Sequence, residues 1–225
     1  MTTVPGRGLG ASIVSAALVL SVVVGGLPLV GFLRDGIHLY CDYSDVGESA
    51  PGSFFCADGI GYIIPVVTTF FVWTLVSAAG IVAMSGWIPP ALRPRLLGIL
   101  ALAPIGYLSW IAAGATGRLR ATAQPRDFWA EPMLAATVFF ALFAAVVLAL
   151  LAVPRSSARI ALYVAGSALL LAALVAQPGT VSAVIVSAGV FGASFVLDRA
   201  RFEATTARLL SENLGSTGPS RRAVP

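Results

Sequence analysis

Residues 11–33 read ASIVSAALVLSVVVGGLPLVGFL, an apolar run with no charged side chain anywhere in it. A helix rises about 1.5 Å per residue, so a run of this length matches the roughly 30 Å hydrocarbon core of a bilayer. Five more windows share its character, at residues 59–84, 96–114, 133–153, 160–176 and 181–197. The second is long enough to require tilt. The last two are short and are joined only by Gln177, Pro178, Gly179 and Thr180. A Pro-Gly pair between apolar runs marks a tight turn, which predicts a helical hairpin, with a re-entrant pair as the alternative. The expected fold class is therefore all-α: a polytopic integral membrane bundle of six transmembrane helices.

Composition agrees. The chain has 225 residues, 58% hydrophobic and 11% charged, whereas soluble domains run at about 45–50% apolar and about 25% charged. So few charges cannot clothe a globule of 23.1 kDa, which excludes a soluble domain, a disordered chain and a coiled coil. All 14 basic residues are arginine, and Asn213 is the single asparagine. Lysine and asparagine have AT-rich codons, so this usage points to a high-GC bacterial genome. The pI near 9.6 does not point to nucleic acid. Basic nucleic-acid footprints cluster on one face, and these arginines sit in short segments between apolar runs.

The arginines also carry orientation, because cytoplasmic loops are enriched in them. With the N-terminus inside, the inner segments hold Arg7, Arg93, Arg95, Arg155, Arg159, Arg199, Arg201, Arg208, Arg221 and Arg222. The outer segments hold Arg34, Arg118, Arg120 and Arg126. Both termini are thus expected in the cytoplasm of a bacterial inner membrane. Trp87, Trp110 and Trp129 fall near window ends, where tryptophan favours the headgroup level; Trp73 falls mid-helix. The first run is too long for a signal-peptide core and no Ala-x-Ala-like site closes it, so it reads as a retained helix.

The outer loop, residues 34–58, is RDGIHLYCDYSDVGESAPGSFFCAD. It carries Asp35, Asp42, Asp45, Glu48 and Asp58 against Arg34, together with both cysteines, Cys41 and Cys56. An even cysteine count in one extracytoplasmic loop predicts a disulfide. His38, Cys41, Asp42 and Cys56 are all potential metal ligands, but no paired C-x-x-C framework or D-x-D-x-D spacing supports a metal site. Tyr40, Tyr43, Phe54 and Phe55 flank the cysteines, and with Asp42 and Asp45 they form a candidate partner-contact patch.

No Asp, Glu, Lys, Arg or His enters any window, which argues against a proton-driven antiporter or pump. On the second window Tyr62, Thr69, Trp73 and Ser77 share one helical face, with Pro65 on the same side and Thr68 and Thr74 flanking. On the third, Tyr107 and Trp110 lie towards the outer end. Together Tyr62, Thr69, Trp73, Ser77, Tyr107 and Trp110 are candidates to line a cavity; ordinary interhelical packing is the alternative. Small-xxx-small ladders at Ala141, Ala145 and Ala149, at Ala168, Ala172 and Ala176, and at Ala188/Gly192 and Gly189/Ala193 suit close helix contacts.

The segment 198–225 begins DRARFEATTARLLSENL, an amphipathic helix that continues the sixth span or lies along the inner surface, with Gly215 as its stop and a disordered tail beyond. No nucleophile–base motif, metalloprotease motif or P-loop is present, and no cofactor is implied. Asp127 and Glu131, beside Arg126 and Trp129, read as a solvated loop. Two function classes survive. One is a non-catalytic accessory, scaffold or envelope-assembly component whose partners are the lipid bilayer and another membrane subunit or a second copy. The other is a small carrier or substrate-capture subunit for a neutral or amphipathic solute, with a cavity around the second and third helices.

Overall fold

The computed structural model describes residues 6–44, 53–122, 130–153 and 157–216. Helix α1 (Arg7–Gly31) runs into a widened turn over Phe32–Gly36 and then a two-stranded antiparallel hairpin, β1 (Cys41–Ser44) and β2 (Ser53–Cys56). A short 3₁₀ turn at Gly59–Tyr62 leads into α2 (Ile63–Ala83). There follow α3 (Arg93–Leu100), α4 (Leu102–Thr122), α5 (Ala130–Ala152) and α6 (Ser157–Ala176). A second 3₁₀ turn, Pro178–Thr180, opens α7 (Val181–Ser216). Six stretches, Arg7–Gly36, Gly59–Ala83, Arg93–Ala115, Met133–Ala152, Ala158–Ala176 and Pro178–Glu212, are long and apolar enough to cross a membrane. The protein is an all-α multi-pass bundle. Large apolar side chains such as Leu27, Val23 and Val175 stand exposed around its outside, a surface that suits lipid and not water.

The departures from the sequence pattern have local causes. The third span is two helices, broken at Ala101. Pro104 has no amide for the Leu100 carbonyl and its ring crowds that carbonyl, which opens the ladder there. Helix α4 then runs on to Thr122, beyond the expected end at residue 114, so Arg118 and Arg120 belong to a helix and not to a loop. Arg126, Asp127 and Trp129 lie outside the described residues. The segment beyond Leu197 takes the first of its two expected courses and continues the sixth span: α7 is one helix from Val181 to Ser216, ending beside Gly215. Residues 198–214 contain neither proline nor glycine, and the ion pairs Arg199–Glu203 and Arg208–Glu212, both 2.9 Å at i,i+4 spacing, support the exposed turns by a few tenths of a kcal/mol each.

Helix α7 is the hub. Of its most apolar window 67% is buried, against 28–39% for the other spans. It crosses α1 at close range: Gly25 sits on Ser182 and Gly189 on Ala17, and a Cβ at either glycine would collide with its neighbour. Small residues allow this approach and the dispersion contacts that come with it. On its other side α7 meets the α5–α6 pair through Phe191, whose ring centroid lies 5.0 Å from those of Phe143 and Tyr163. At the tight turn before α7, Gly179 is pressed against Phe32 so closely that no side chain fits. The Pro-Gly dipeptide therefore serves packing as well as turn geometry.

Candidate functional site

The hairpin end of the bundle carries most of the residues singled out from the sequence. Leaving α1, the chain is turned by His38 and Tyr40, which have φ of 50° and 60°, a region uncommon for non-glycine residues. Hydrogen bonds hold the excursion: the Leu39 amide donates to Leu33 O at 2.8 Å, the Cys41 amide to His38 O at 3.2 Å and the Ala57 amide to Tyr40 O at 3.2 Å. Beyond it Cys41 and Cys56 face each other as the first pair of the hairpin and are joined by a disulfide. Tyr43 pairs with Phe54 and Asp42 with Phe55 along the strands. Asp45 lies outside the described residues, as do the side chains of Asp42, Tyr43, Phe54 and Phe55. Tyr40 parts from this group, its ring 6.4 Å from that of Tyr62.

Tyr62 ties the hairpin to the bundle. It is 1% exposed, and its hydroxyl donates to Leu39 O at 2.7 Å while lying 3.7 Å from Cys41 Sγ. The expected cavity face of α2 is otherwise occupied by packing. Thr69 and Trp73 have no exposed surface and Ser77 has 1%. The Thr69 hydroxyl donates to its own helix at Pro65 O, 2.7 Å away. Trp73 stands edge-on to Tyr107, with ring centroids 5.8 Å apart. Trp73 Nε1 and Ser77 Oγ have no hydrogen-bond partner among the described residues, so shape holds this stripe more than hydrogen bonding does. Tyr62, Thr69, Trp73 and Ser77 are thus buried among their neighbours, the packing alternative to a cavity wall.

A cleft does exist one helical position away. It encloses about 320 Å³ between the hairpin root, the start of α2 and the distal half of α4. Tyr107 and Trp110 line it, with Tyr40, Ile64, Pro65 and Thr68 opposite. The Tyr107 and Trp110 rings are 6.1 Å apart, and Trp110 is 71% exposed. The Thr68 hydroxyl donates to Ile64 O and Pro65 O at 2.9 and 3.0 Å, which leaves the cleft mainly aromatic and aliphatic. Such a surface binds apolar or amphipathic groups by contact and stacking. Among the described residues no three His, Cys, Asp or Glu side chains gather as metal ligands.

The opposite end holds a constellation that the sequence did not reveal. Arg159 Nε donates to Asp198 Oδ2 at 2.8 Å, with both side chains nearly buried. Arg159 Nη1 also donates to Leu150 O at 2.8 Å and Val153 O at 3.0 Å, carbonyls at the end of α5. Above the pair, Tyr163 and Ser194 share a 3.0 Å hydrogen bond and Ser194 donates to Pro94 O at 2.7 Å. Counted along the chain, Arg159 and Asp198 were flanking charges; only the antiparallel packing of α6 on α7 makes them partners. The chain matches no protein-family model, and no curated protein or solved structure is significantly similar to it.

Proposed function

We propose that the protein is a non-catalytic multi-pass component of a bacterial cytoplasmic membrane, an accessory, scaffold or envelope-assembly subunit. In this reading the disulfide-stapled acidic hairpin is extracytoplasmic and both termini are cytoplasmic, as the arginine distribution favours. The observation that carries the reading is the burial of Thr69, Trp73 and Ser77. The polar face that a carrier would offer its solute is spent on holding helices together. What remains for function is surface: the hairpin, the exposed helix faces and the exposed length of α7 bearing Phe202, Leu209 and Leu210.

The cleft beside the hairpin favours a second reading, capture of a neutral or amphipathic solute against Tyr40, Tyr107 and Trp110. Native mass spectrometry from mild detergent separates the two. The first reading expects a stoichiometric partner subunit or a second copy on the 23.1 kDa chain. A monomer carrying a small molecule that is lost in Trp110→Ala would overturn it in favour of the second.

A further inference from the structure

The turn between α2 and α3 lies at the end of the bundle away from the hairpin, and two arginines from different elements are seated on it. Arg7, at the start of α1, donates through Nε to Met84 O at 2.8 Å. Arg93, the first residue of α3, donates through Nε to Ile88 O at 2.8 Å. Each guanidinium has a further nitrogen, Arg7 Nη2 and Arg93 Nη1, that is buried without an acceptor among the described residues, and Ser85 Oγ on the same turn is likewise buried without a partner among them. Arg93 is only 4% exposed.

Charge makes this arrangement harder to explain as structure alone. Among the described residues no carboxylate pairs with Arg7 or Arg93. Asp198, Glu203 and Glu212 at this end are taken by Arg159, Arg199 and Arg208. Two like charges on one turn repel, and burying a guanidinium with donors unfilled is unfavourable. The N-terminus of α3 adds partial positive charge, and its N-cap, Leu92, offers no side-chain acceptor. Every missing feature is an anionic oxygen acceptor.

We infer that this turn is a phosphate-binding site in which Arg7, Ser85 and Arg93 hold the oxygens of a phosphate group. Guanidinium forks match phosphate geometry, and one anion with several oxygens answers both cations and the hydroxyl together. In this reading the anion enters over Gly86, which is exposed on the same turn and where a Cβ would stand 3.7 Å from Arg7 Nη2. Trp87, next along the turn, is 94% exposed, as suits a side chain at headgroup depth. The same oxygens are offered by a phospholipid headgroup and by free phosphate.

The full-length protein in mild detergent is titrated with dioleoyl-phosphatidylglycerol, with dioleoylglycerol (the same chains without phosphate), and with inorganic phosphate, bound species being counted by native mass spectrometry. The phospholipid is retained at least about tenfold more tightly than the diacylglycerol, and Arg7→Gln and Arg93→Gln each lose about tenfold, the scale of one charge-assisted hydrogen bond. Gly86→Leu closes the approach with both guanidiniums in place and loses retention while keeping wild-type thermal unfolding. Arg95→Gln, exposed and two residues further along α3, binds as wild type. Retention that inorganic phosphate does not displace assigns the site to the headgroup. Saturable binding of inorganic phosphate itself, lost in the same variants, assigns it to the free anion. Equal retention of the two lipids without phosphate binding, or retention unchanged in Arg7→Gln and Gly86→Leu, overturns the site.

Discussion

Cutting the Arg159–Asp198 pair from either side gives unequal results, and the inequality follows from the other bonds of Arg159. Removing the arginine strands Asp198, a carboxylate whose side chain is 11% exposed. It also uncovers Leu150 O and Val153 O, two of the carbonyls that a helix C-terminus leaves unpaired. A buried charge deprived of its partner costs about 3–5 kcal/mol, so Arg159→Ala should fall in that range. Asp198→Asn is milder. The arginine keeps both α5 carbonyls, which lie at the negative end of a helix dipole, and the asparagine oxygen still accepts from Nε. The loss is then about 1–2 kcal/mol, the charged share of one hydrogen bond. The double variant Arg159→Met/Asp198→Leu, which removes both charges and fills the site with apolar side chains, should lie well above Arg159→Ala in stability. Reversible unfolding in detergent, followed by helical circular dichroism, measures all three. An Asp198→Asn cost equal to or larger than that of Arg159→Ala would refute the reasoning, since it would mean that the carboxylate and not the α5 carbonyls holds the arginine.

Other expectations follow from single contacts. Trp73→Ala empties a fully buried site against Tyr107 and should cost about 3–5 kcal/mol of unfolding free energy. The Cys41–Cys56 bond closes a separation of 15 residues, worth roughly 3 kcal/mol in the chain-entropy picture. Cys41→Ser should therefore raise amide exchange at the hairpin root while leaving α5 and α6 protected. Gly189→Val drives a side chain into Ala17 at the α1–α7 crossing and should destabilise by about 1–3 kcal/mol, seen as a lowered melting temperature.

The sequence pattern and the fold agree most closely where one physical demand acts alone. A run such as residues 11–33 has to be helical and long because lipid satisfies no backbone hydrogen bond, and the six spans lie on the six apolar windows. Cys41 and Cys56 could be paired on paper because they are the two cysteines of the chain and fall in one loop. The face of α2 was different. Periodicity placed Tyr62, Thr69, Trp73 and Ser77 on one side, but the same hydroxyls and rings suit a cavity wall and a packed seam equally. The deciding fact was that Tyr107 on α4 fills the space before Trp73. Arg159 and Asp198 lie 39 residues apart at the edges of their windows, and no local pattern announces a pairing that depends on how two helices stack. For α7, hydropathy ends at Leu197 and leaves two courses open, whereas helix propensity and the i,i+4 ion pairs carry the helix on to Ser216.

The central claim is that the polar stripe of α2 is packed protein and no solute path. It is tested most directly by a membrane-impermeant maleimide applied to intact membranes bearing Thr69→Cys or Ser77→Cys, with Thr68→Cys on the cleft as the neighbouring comparison. The native cysteines are bonded to each other and stay silent. The account predicts that Thr68→Cys labels, and that Thr69→Cys and Ser77→Cys remain unmodified until the protein is denatured. Rapid labelling of Thr69→Cys or Ser77→Cys in the folded protein would contradict it, for water would then reach the face that the structure fills with Trp73 and Tyr107.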